Sequence, residues 1–247
     1  MIIHSYESSQ RSDACIDYLR TSGIAKYIER VILLPIPTTR DNQYISNTKV
    51  YINDILDRID GKTLVSGYGL PDGFISEARR RGACVIDLEE DEDFLLENAS
   101  LTALCALGIF LGSTKSAPSD VSVGIVGYGR IGKRLTNLFL YLGSGVKVFT
   151  SRDGTRLELC EYGVASASSA RDADLLGLDI LINTAPAVIF DPASIPPELR
   201  VIDLASGDNF PGLCGVEKYP SVPAKMFPNS AGRAWGRALE RYVNSCQ

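Results

Sequence analysis

The amino-acid sequence predicts an α/β protein with two doubly wound parallel-sheet domains. In the first third of the chain, short runs of β-branched residues alternate with helical stretches of about ten residues, which is typical of a parallel sheet with crossover helices. In the middle, an apolar strand leads through a glycine-rich turn into a helix. A helical stretch at residues 94–112 is apolar on nearly all sides and is typical of a buried connecting helix between domains.

The first domain is expected to contain alternating strands and helices. Strands are predicted at residues 2–6, 30–37, 63–67 and 83–88, and helices at residues 9–21, 50–59 and 72–81. An acidic run at residues 89–93 follows, and its carboxylates complement the dipole at the start of the connecting helix. Residues 1–93 therefore form an N-terminal α/β domain, to which we expect a terminal helix within residues 230–247 to return.

The second domain, residues 94–229, begins with the connecting helix and a polar linker at residues 113–120. Its strands are predicted at residues 121–126, 146–150, 179–183 and 200–205, with a short edge strand at residues 222–227. Helices are predicted at residues 133–140, 156–162 and 169–177, and the terminal helix at residues 230–244. This order of elements again predicts a parallel sheet.

Three glycines define the turn after the strand at residues 121–126. Gly127 permits a tight turn, Gly129 lets the backbone approach a pyrophosphate, and Gly132 lets the new helix pack closely. The free N–H groups at a helix start attract phosphates. The pattern predicts an NAD(P)-binding Rossmann fold, the alternative being a glycine turn in an ordinary strand–helix unit. The candidate cofactor-binding residues here are Gly127, Tyr128, Gly129, Arg130, Ile131 and Gly132.

The end of the next strand favours NADP over NAD. An NAD site usually carries Asp or Glu about 20 residues beyond the glycines, where it binds the ribose hydroxyls. Here Ser151 and Arg152 occupy that position, Arg156 follows closely, and the nearest carboxylate is Asp153. A guanidinium pairs with a 2′-phosphate through charge-assisted hydrogen bonds. The alternative is that Arg152 is a solvated loop residue.

The composition argues against nucleic acid, membrane and metal as partners. The net charge is −5 and the pI is about 5.0, and no block of Lys and Arg is present. The most apolar stretch, residues 99–111, falls short of the ~20 residues that span a bilayer, and we expect no signal peptide. Six scattered cysteines without a C-x-x-C pair, and a single histidine, indicate a reduced cytoplasm rather than a disulfide framework or zinc site.

Several segments resemble the dipicolinate synthase A-subunit family and, more distantly, the D-2-hydroxyacid, alanine and formate/glycerate dehydrogenases. The resemblance covers most of the chain. It rests on Glu97-Asn98-Ala99 with Thr102, the glycine motif at residues 127–135, Asn183-Thr184-Ala185-Pro186-Ala187, Ile202-Asp203-Leu204-Ala205-Ser206 and Asn229-Ser230-Ala231-Gly232. The segment at residues 207–212 departs from the glycine-rich stretch of the family.

The resemblance implies a two-domain fold with a cleft and NADP(H) in the C-terminal domain. It also implies oxidation of a cyclic dicarboxylate to dipicolinate during sporulation, together with a flavoprotein-like second subunit. The histidine–carboxylate pair of the D-2-hydroxyacid dehydrogenases has no counterpart, because the chain has no histidine after His4. A proton acceptor would therefore be a carboxylate, Lys, Tyr or a water held by Ser or Thr.

Two further loops are expected beside the glycine turn, because parallel strands place their carboxyl ends at one edge. One is the cofactor-contacting loop Asn183, Thr184, Ala185 and Pro186, with a capped turn as the alternative. The other contains Asp203 and Ser206, the candidate catalytic residues. Asp203 either orients substrate or polarises a water, or it is a structural carboxylate that binds backbone N–H groups.

The first domain and the terminal helix are expected to supply carboxylate-binding residues for the substrate. A loop after the second strand carries hydroxyls and a guanidinium, and the start of the terminal helix offers N–H groups. A polar loop and a simple N-cap are the alternatives. The candidate substrate residues are Thr38, Thr39, Arg40, Asn229, Ser230 and Arg233.

These observations predict an NADP-dependent oxidoreductase acting on a small carboxylate. The alternatives are a catalytically inactive NADP-binding partner or regulatory subunit, and a dehydrogenase of another hydroxy or amino acid. A homodimer is expected from the surplus of apolar residues on the connecting helix, notably Leu101, Leu104, Leu107 and Phe110.

Overall fold

The structure, a computed structural model, describes residues 1–168 and 175–245 and divides into two compact units. The first unit comprises Met1–Asn98 and Pro223–Gln247, and the second comprises Ala99–Val222. Each unit contains a parallel sheet with interleaved helices, so the predicted α/β fold class is confirmed. The helix predicted at residues 169–177 falls mostly outside the described residues.

The elements follow one another in the alternation that the sequence predicts. The strands are β1 (Ile2–Ser5), β2 (Arg30–Leu33), β3 (Thr63–Gly67), β4 (Cys84–Asp87), β5 (Ser122–Val126), β6 (Gly145–Phe149), β7 (Ala165–Ala167), β8 (Ile180–Asn183), β9 (Arg200–Asp203) and β10 (Glu217–Lys218). The helices are α1 (Gln10–Thr21), α2 (Asp72–Arg80), α3 (Glu92–Leu111), α4 (Arg130–Tyr141), α5 (Asp153–Glu161), α6 (Val222–Met226) and α7 (Pro228–Ser245). Short 3-10 helices occupy Gly23–Lys26, Ile52–Arg58, Pro118–Asp120 and Pro192–Ser194.

Helices cover both faces of the first sheet, whose strands follow in chain order β1-β2-β3-β4. Helices α1 and α7 pack on the face that includes Val31 and Leu33. The 3-10 helix Ile52–Arg58 and α2 pack on the opposite face with Ile32 and Val65. The connection from β1 to β2 therefore has the opposite hand to the two that follow it, which departs from the usual uniform right-handed crossover.

The close packing of α1 against α7 depends on glycine. A Cβ atom at Gly232 would lie 2.3 Å from the carbonyl oxygen of Arg11, so only glycine permits this approach. The neighbouring Trp235 is fully buried, and its indole Nε1 donates a 2.8 Å hydrogen bond to Ser66 Oγ on β3. Helix α7 thus completes the core of the first unit.

The second sheet is doubly wound, with strand order β10-β9-β8-β5-β6-β7. The chain moves outward from β5 through β6 to β7, and then continues on the other side of β5 through β8, β9 and β10. The reversal of strand order lies between β5 and β8. Ligands of doubly wound sheets bind at the carboxyl ends of the strands at such a reversal. The glycine turn follows β5, at this position.

Helix α3 is longer than the apolar stretch at residues 99–111, because its first turns include the acidic Glu92 and Asp93. The whole helix has 20 residues and is long and apolar enough to cross a membrane by length and composition alone. This corrects the expectation from sequence that the apolar stretch is too short to span a bilayer. In the second unit α3 packs on the sheet through Ala103, Ala106 and Phe110. Phe110 is buried in this core rather than placed on a dimer surface, which corrects that part of the dimer prediction.

Two predicted elements take another form. The predicted helix at residues 50–59 is the 3-10 helix Ile52–Arg58, whose three-residue spacing buries Ile52 and Ile55 on one face. The predicted edge strand at residues 222–227 is wrong, because this segment forms α6. Pro223 lacks an N–H group, so it cannot donate in a sheet ladder but fits the first turn of a helix.

Candidate functional site

The glycine turn has the tight geometry that its sequence predicts. Gly127 has φ of +87°, in the left-handed region that favours glycine. A Cβ atom at Gly132 would lie 2.1 Å from the carbonyl oxygen of Gly127, so α4 approaches the turn only because Gly132 has no side chain. A Cβ atom at Gly129 would meet no protein atom within 4 Å, because this glycine faces open space. The open side of the turn is where a ligand can approach.

The start of α4 is suited to an anion. Its N-cap residue is Gly129, which has no side chain that could cap the first N–H groups. The first turn carries no acidic residue, so no carboxylate of this helix competes for a phosphate. Arg130 and Ile131 form this first turn, and Arg130 is exposed. The helix start therefore offers backbone donors and positive potential beside the turn.

A cavity of about 250 Å³ lies between the glycine turn, the end of β6 and the loop after β8. Its lining residues are Gly127, Tyr128, Gly129, Phe149, Thr150, Ser151, Arg152, Thr184, Ala185, Pro186 and Ile189. Most of the predicted cofactor residues are thus brought to one place. The predicted residues outside this lining are Arg130, Ile131, Gly132, Arg156 and Asn183.

The two candidate arginines differ in their surroundings. Arg156 donates to the carbonyl of Thr150 over 3.0 Å and pairs with Asp153, so its guanidinium fixes the corner between β6 and α5. Arg152 lines the cavity, is exposed, and makes no ion pair with any residue of the described ranges 1–168 and 175–245. Because Arg156 partly neutralises Asp153, the guanidinium of Arg152 keeps its positive charge beside Ser151 on the cavity wall.

Tyr128 forms a further part of the cavity wall. Partial burial raises the pKa of its phenol above the ordinary value, and the nearby Glu158 and Tyr162 add to this rise. The ammonium Nζ of Lys133 lies 5.2 Å from the centre of the Tyr128 ring, within cation–π range. Tyr128 therefore remains protonated at neutral pH and can donate a hydrogen bond.

The loop after β8 uses its polar groups internally. Thr184 donates from both its backbone N–H (2.9 Å) and its hydroxyl (2.8 Å) to the carbonyl of Val126, so it anchors the end of β5. Asn183 is 1% exposed, and its amide group bonds to both backbone groups of Ala185. These contacts match the capped-turn alternative for Asn183, whereas Ala185 and Pro186 line the cavity itself.

Asp203 is also buried, with 1% of its surface exposed. Its carboxylate accepts hydrogen bonds from the side-chain amides of Asn183 (2.8 Å) and Asn209 (3.1 Å), and from the backbone N–H of Ala205 (3.1 Å). This is the structural-carboxylate role that the sequence leaves open. Ser206 is exposed, and its carbonyl accepts a hydrogen bond from Asn209.

Asn209 is a site residue that the sequence motifs do not single out. It is 3% exposed and follows Gly207, whose φ is +91°. A left-handed glycine close after a strand turns the chain sharply, and a buried Asn two positions later can then reach back to the strand end. This spacing is the signal in the sequence that could have found it.

The candidate substrate residues of the first unit fall into separate places. Thr38 is fully buried, donates to the carbonyl of Pro35 and accepts the N–H of Tyr68, so its hydroxyl joins two loops. The hydroxyl of Thr39 lies 3.4 Å from an amide oxygen of its own loop. The Thr38 hydroxyl is therefore used inside the fold, while the substrate role of Thr39 stays a prediction. Arg40 is exposed and makes no ion pair within the described part of the chain.

A groove of about 670 Å³ runs between α1 and the start of α7. Two predicted substrate residues, Asn229 and Arg233, line it together with Asp13, Asp17 and Tyr18 of α1. The groove therefore carries charges of both signs. Ser230, which the sequence also predicts to bind substrate, is exposed but does not line this groove.

No group of three or more His, Cys, Asp or Glu side chains suited to a metal ion occurs among the described residues. The polar groups that line the cavity are backbone N–H groups, hydroxyls and the guanidinium of Arg152. Such donors fit phosphates and riboses rather than a cation.

Comparison with known proteins identifies the fold. No protein-family model matches the chain, and no curated protein sequence matches it significantly. The dipicolinate synthase A subunit from Bacillus subtilis matches with a TM-score of 0.76 and 19% identity, over 100% of this chain and 96% of its own. The chain has the fold of the dipicolinate synthase A subunit. Its counterpart from Bacillus halodurans matches with a TM-score of 0.70 and 23% identity, over 86% of this chain and 79% of its own.

The fold extends to dehydrogenases of hydroxy acids. D-lactate dehydrogenase from Salmonella matches with a TM-score of 0.60 and 11% identity, over 100% of this chain and 97% of its own. The resemblance to the dipicolinate synthase A subunit that the motifs predict is thus confirmed at the level of the fold. The likeness also accounts for the glycine turn at the reversal of strand order, a position that Rossmann-type folds share.

Proposed function

We propose that this protein is an NADP-dependent oxidoreductase that exchanges a hydride with a small carboxylate. The observation that supports the cofactor is the glycine-turn cavity with Arg152 on its wall. The likeness in fold to the dipicolinate synthase A subunit and to D-lactate dehydrogenase supports the reaction type. A cyclic dicarboxylate is the substrate that this likeness favours.

The residues present fit a dinucleotide phosphate. The open space at Gly129 leaves room for a pyrophosphate beside the uncapped start of α4. Arg152 and Ser151 would hold a 2′-phosphate, with charge-assisted hydrogen bonds worth about 1.5–3 kcal/mol each. When bound, the nicotinamide would supply the hydride exchange. The chain's own part is to bind and orient it, with Ala185 and Pro186 as one wall.

The substrate's carboxylates need cationic or N–H partners. Arg40 and Arg233 are exposed guanidinium groups that can bind carboxylates bidentately. We do not propose Asp203 as the proton acceptor of the reaction, because its carboxylate is enclosed by amide donors.

A second candidate function is that of an NADP-binding subunit without catalysis of its own, as a partner of a flavoprotein-like second subunit. The burial of Asp203 and the absence of histidine after His4 favour this alternative. In that case NADPH would bind, but no small carboxylate would change its redox state.

The first test is a fluorescence titration with NADPH and NADH on the wild type, Arg152→Asp and the control Arg134→Asp. Arg134 is an exposed arginine of α4 that does not line the cavity. Losing one to two charge-assisted hydrogen bonds should raise the Kd for NADPH about 10- to 100-fold and change the Kd for NADH much less. Equal effects on both cofactors, or an equal effect of the Arg134 substitution, would reject the phosphate role of Arg152.

Substrate screening separates the two candidate functions. Cyclic and linear dicarboxylates and hydroxy and amino acids are offered with the cofactor, and its oxidation state is followed by absorbance. Turnover of any of them supports the oxidoreductase. Tight NADPH binding without turnover supports the binding subunit, and activity restored by a flavoprotein partner identifies the assembly.

A further inference from the structure

The buried carboxylate of Asp203 has no cationic partner in the described part of the chain. A buried charge is unfavourable unless hydrogen bonds replace its lost water. Here side-chain amides provide them, because Asn183 donates to Oδ1 and Asn209 donates to both carboxylate oxygens, at 3.3 and 3.1 Å. The amides that replace this water belong to two different loops, which the carboxylate therefore joins.

The first amide joins Asp203 to the cavity wall. Asn183 Nδ2 also donates to the carbonyl of Ala185 over 3.0 Å, and its Oδ1 accepts the N–H of Ala185 over 3.1 Å. Both backbone groups of Ala185 are therefore fixed by one side chain. The orientation of that side chain is set in turn by Asp203. Ala185 and Pro186 line the cavity, so the carboxylate acts on this wall through Asn183.

The second amide joins Asp203 to the loop after β9. Asn209 Nδ2 donates to the carbonyl of Ser206 over 3.1 Å as well as to the carboxylate. Ala205 N–H completes the set from the same loop. The loops after β8 and β9 are thus held together by one carboxylate, and the three side chains of the link, Asn183, Asp203 and Asn209, are each at most 3% exposed.

We propose that Asp203 and Asn209 are positioning residues that hold the Ala185–Pro186 wall of the nucleotide cavity. Neither is a catalytic residue, because the carboxylate faces amides rather than the cavity. This inference rests on the proposed function for the use of the wall in cofactor binding. The link between the two loops stands on the geometry alone.

An isosteric substitution tests the link. Two amide NH₂ groups point at position 203. Asp203→Asn would therefore set an N–H donor against at least one of them and remove a charge-assisted acceptor. Asn209→Ala removes one side of the link without adding a group. Asp208→Asn is the matched control, because Asp208 lies in the same loop but is exposed and pairs with Lys218 on the surface.

Two measurements are made on the full-length variants. Hydrogen–deuterium exchange without cofactor reports how firmly residues 183–187 are held, and fluorescence titration gives the Kd for NADPH. We expect Asp203→Asn and Asn209→Ala each to raise both the exchange rate and the Kd about tenfold, the size of one lost hydrogen bond to a charged group. The double variant should be no worse than the more severe single one, because both act through one link.

Unchanged exchange in Asn209→Ala would overturn the inference, and this variant decides the matter even if Asp203→Asn does not fold. Changed exchange with an unchanged Kd would show that the wall is not used for the cofactor, which also overturns it. Hydride transfer lost from Asp203→Asn with an unchanged Kd would instead make Asp203 catalytic. If the wild type binds neither NADPH nor NADH, the proposed function fails, while the exchange data still decide whether the link exists.

Discussion

Alanine substitutions at Gly129 and Gly132 should separate cofactor binding from folding. A Cβ atom at position 132 would sit 2.1 Å from a carbonyl oxygen, about 1 Å closer than the ~3.3 Å at which carbon and oxygen normally meet. The obstacle is backbone, so the helix or the turn must move. Overpacking of this kind costs about 1–3 kcal/mol, and a rigid neighbour places Gly132→Ala near the upper end.

Gly129→Ala should leave stability unchanged or slightly improved. No protein atom lies within 4 Å of the added Cβ, and φ of −84° is allowed for alanine. Removing a glycine from such a position restricts the unfolded chain and stabilises the fold by about 0.4–1 kcal/mol. The methyl group would, however, occupy the space beside the helix start that the pyrophosphate needs.

Thermal unfolding and NADPH titration on the same samples test both expectations. At roughly 2–4 °C per kcal/mol for a chain of this length, Gly132→Ala should lower the Tm by about 6–12 °C. Gly129→Ala should keep the wild-type Tm and lose NADPH binding. Wild-type NADPH affinity in Gly129→Ala would refute the placement of the cofactor, and an unchanged Tm in Gly132→Ala would refute the steric argument.

Three further outcomes are expected. Trp235→Phe should lower the free energy of unfolding by about 1–3 kcal/mol in denaturant titrations, because buried Ser66 loses its donor, and an unchanged midpoint would contradict this. The hydrogen bond from Arg200 holds the pKa of Glu217 below its usual value. The ionised Glu217 therefore stabilises the fold above about pH 4.3, and this stabilisation is lost on acidification. The free energy of unfolding, measured against pH, should therefore fall less on acidification in Glu217→Gln than in the wild type. If the exposed face of α3 mediates a homodimer, Leu104→Glu (Leu104 is 44% exposed) should convert a dimeric mass into a monomeric one in sedimentation, and a wild-type monomer would reject the dimer.

Elements governed by local pattern could be predicted from the sequence. The strands at β3 and β5 and the glycine turn follow from β-branched runs and glycine spacing, which are local signals. The wrong strand at residues 222–227 also has a local cause, since Pro223 favours a helix start over a strand. The short strands β7 and β10 escape prediction because two or three residues carry too little pattern.

The roles of the site residues depend on contacts that no local pattern reveals. Asp203 and Asn183 are twenty positions apart, and their hydrogen bond exists only because β8 and β9 pair in register. Thr38 likewise bonds to Tyr68 across neighbouring loops. The residue types at these positions suggest polar chemistry, but only the pairing of strands decides whether a polar group faces a cavity or its neighbour.

The first unit consists of two chain segments that are separated by the whole second unit. This separation determines the order in which the two units can fold during synthesis. The core of the first unit combines Leu33 and Leu64 with Trp235 and Leu239, so residues 1–98 lack part of their interior until α7 has been made. The second unit is continuous and can fold while α7 is still absent, since domains fold as units during translation. Until then the surface that α7 will cover stays open to chaperones and proteases.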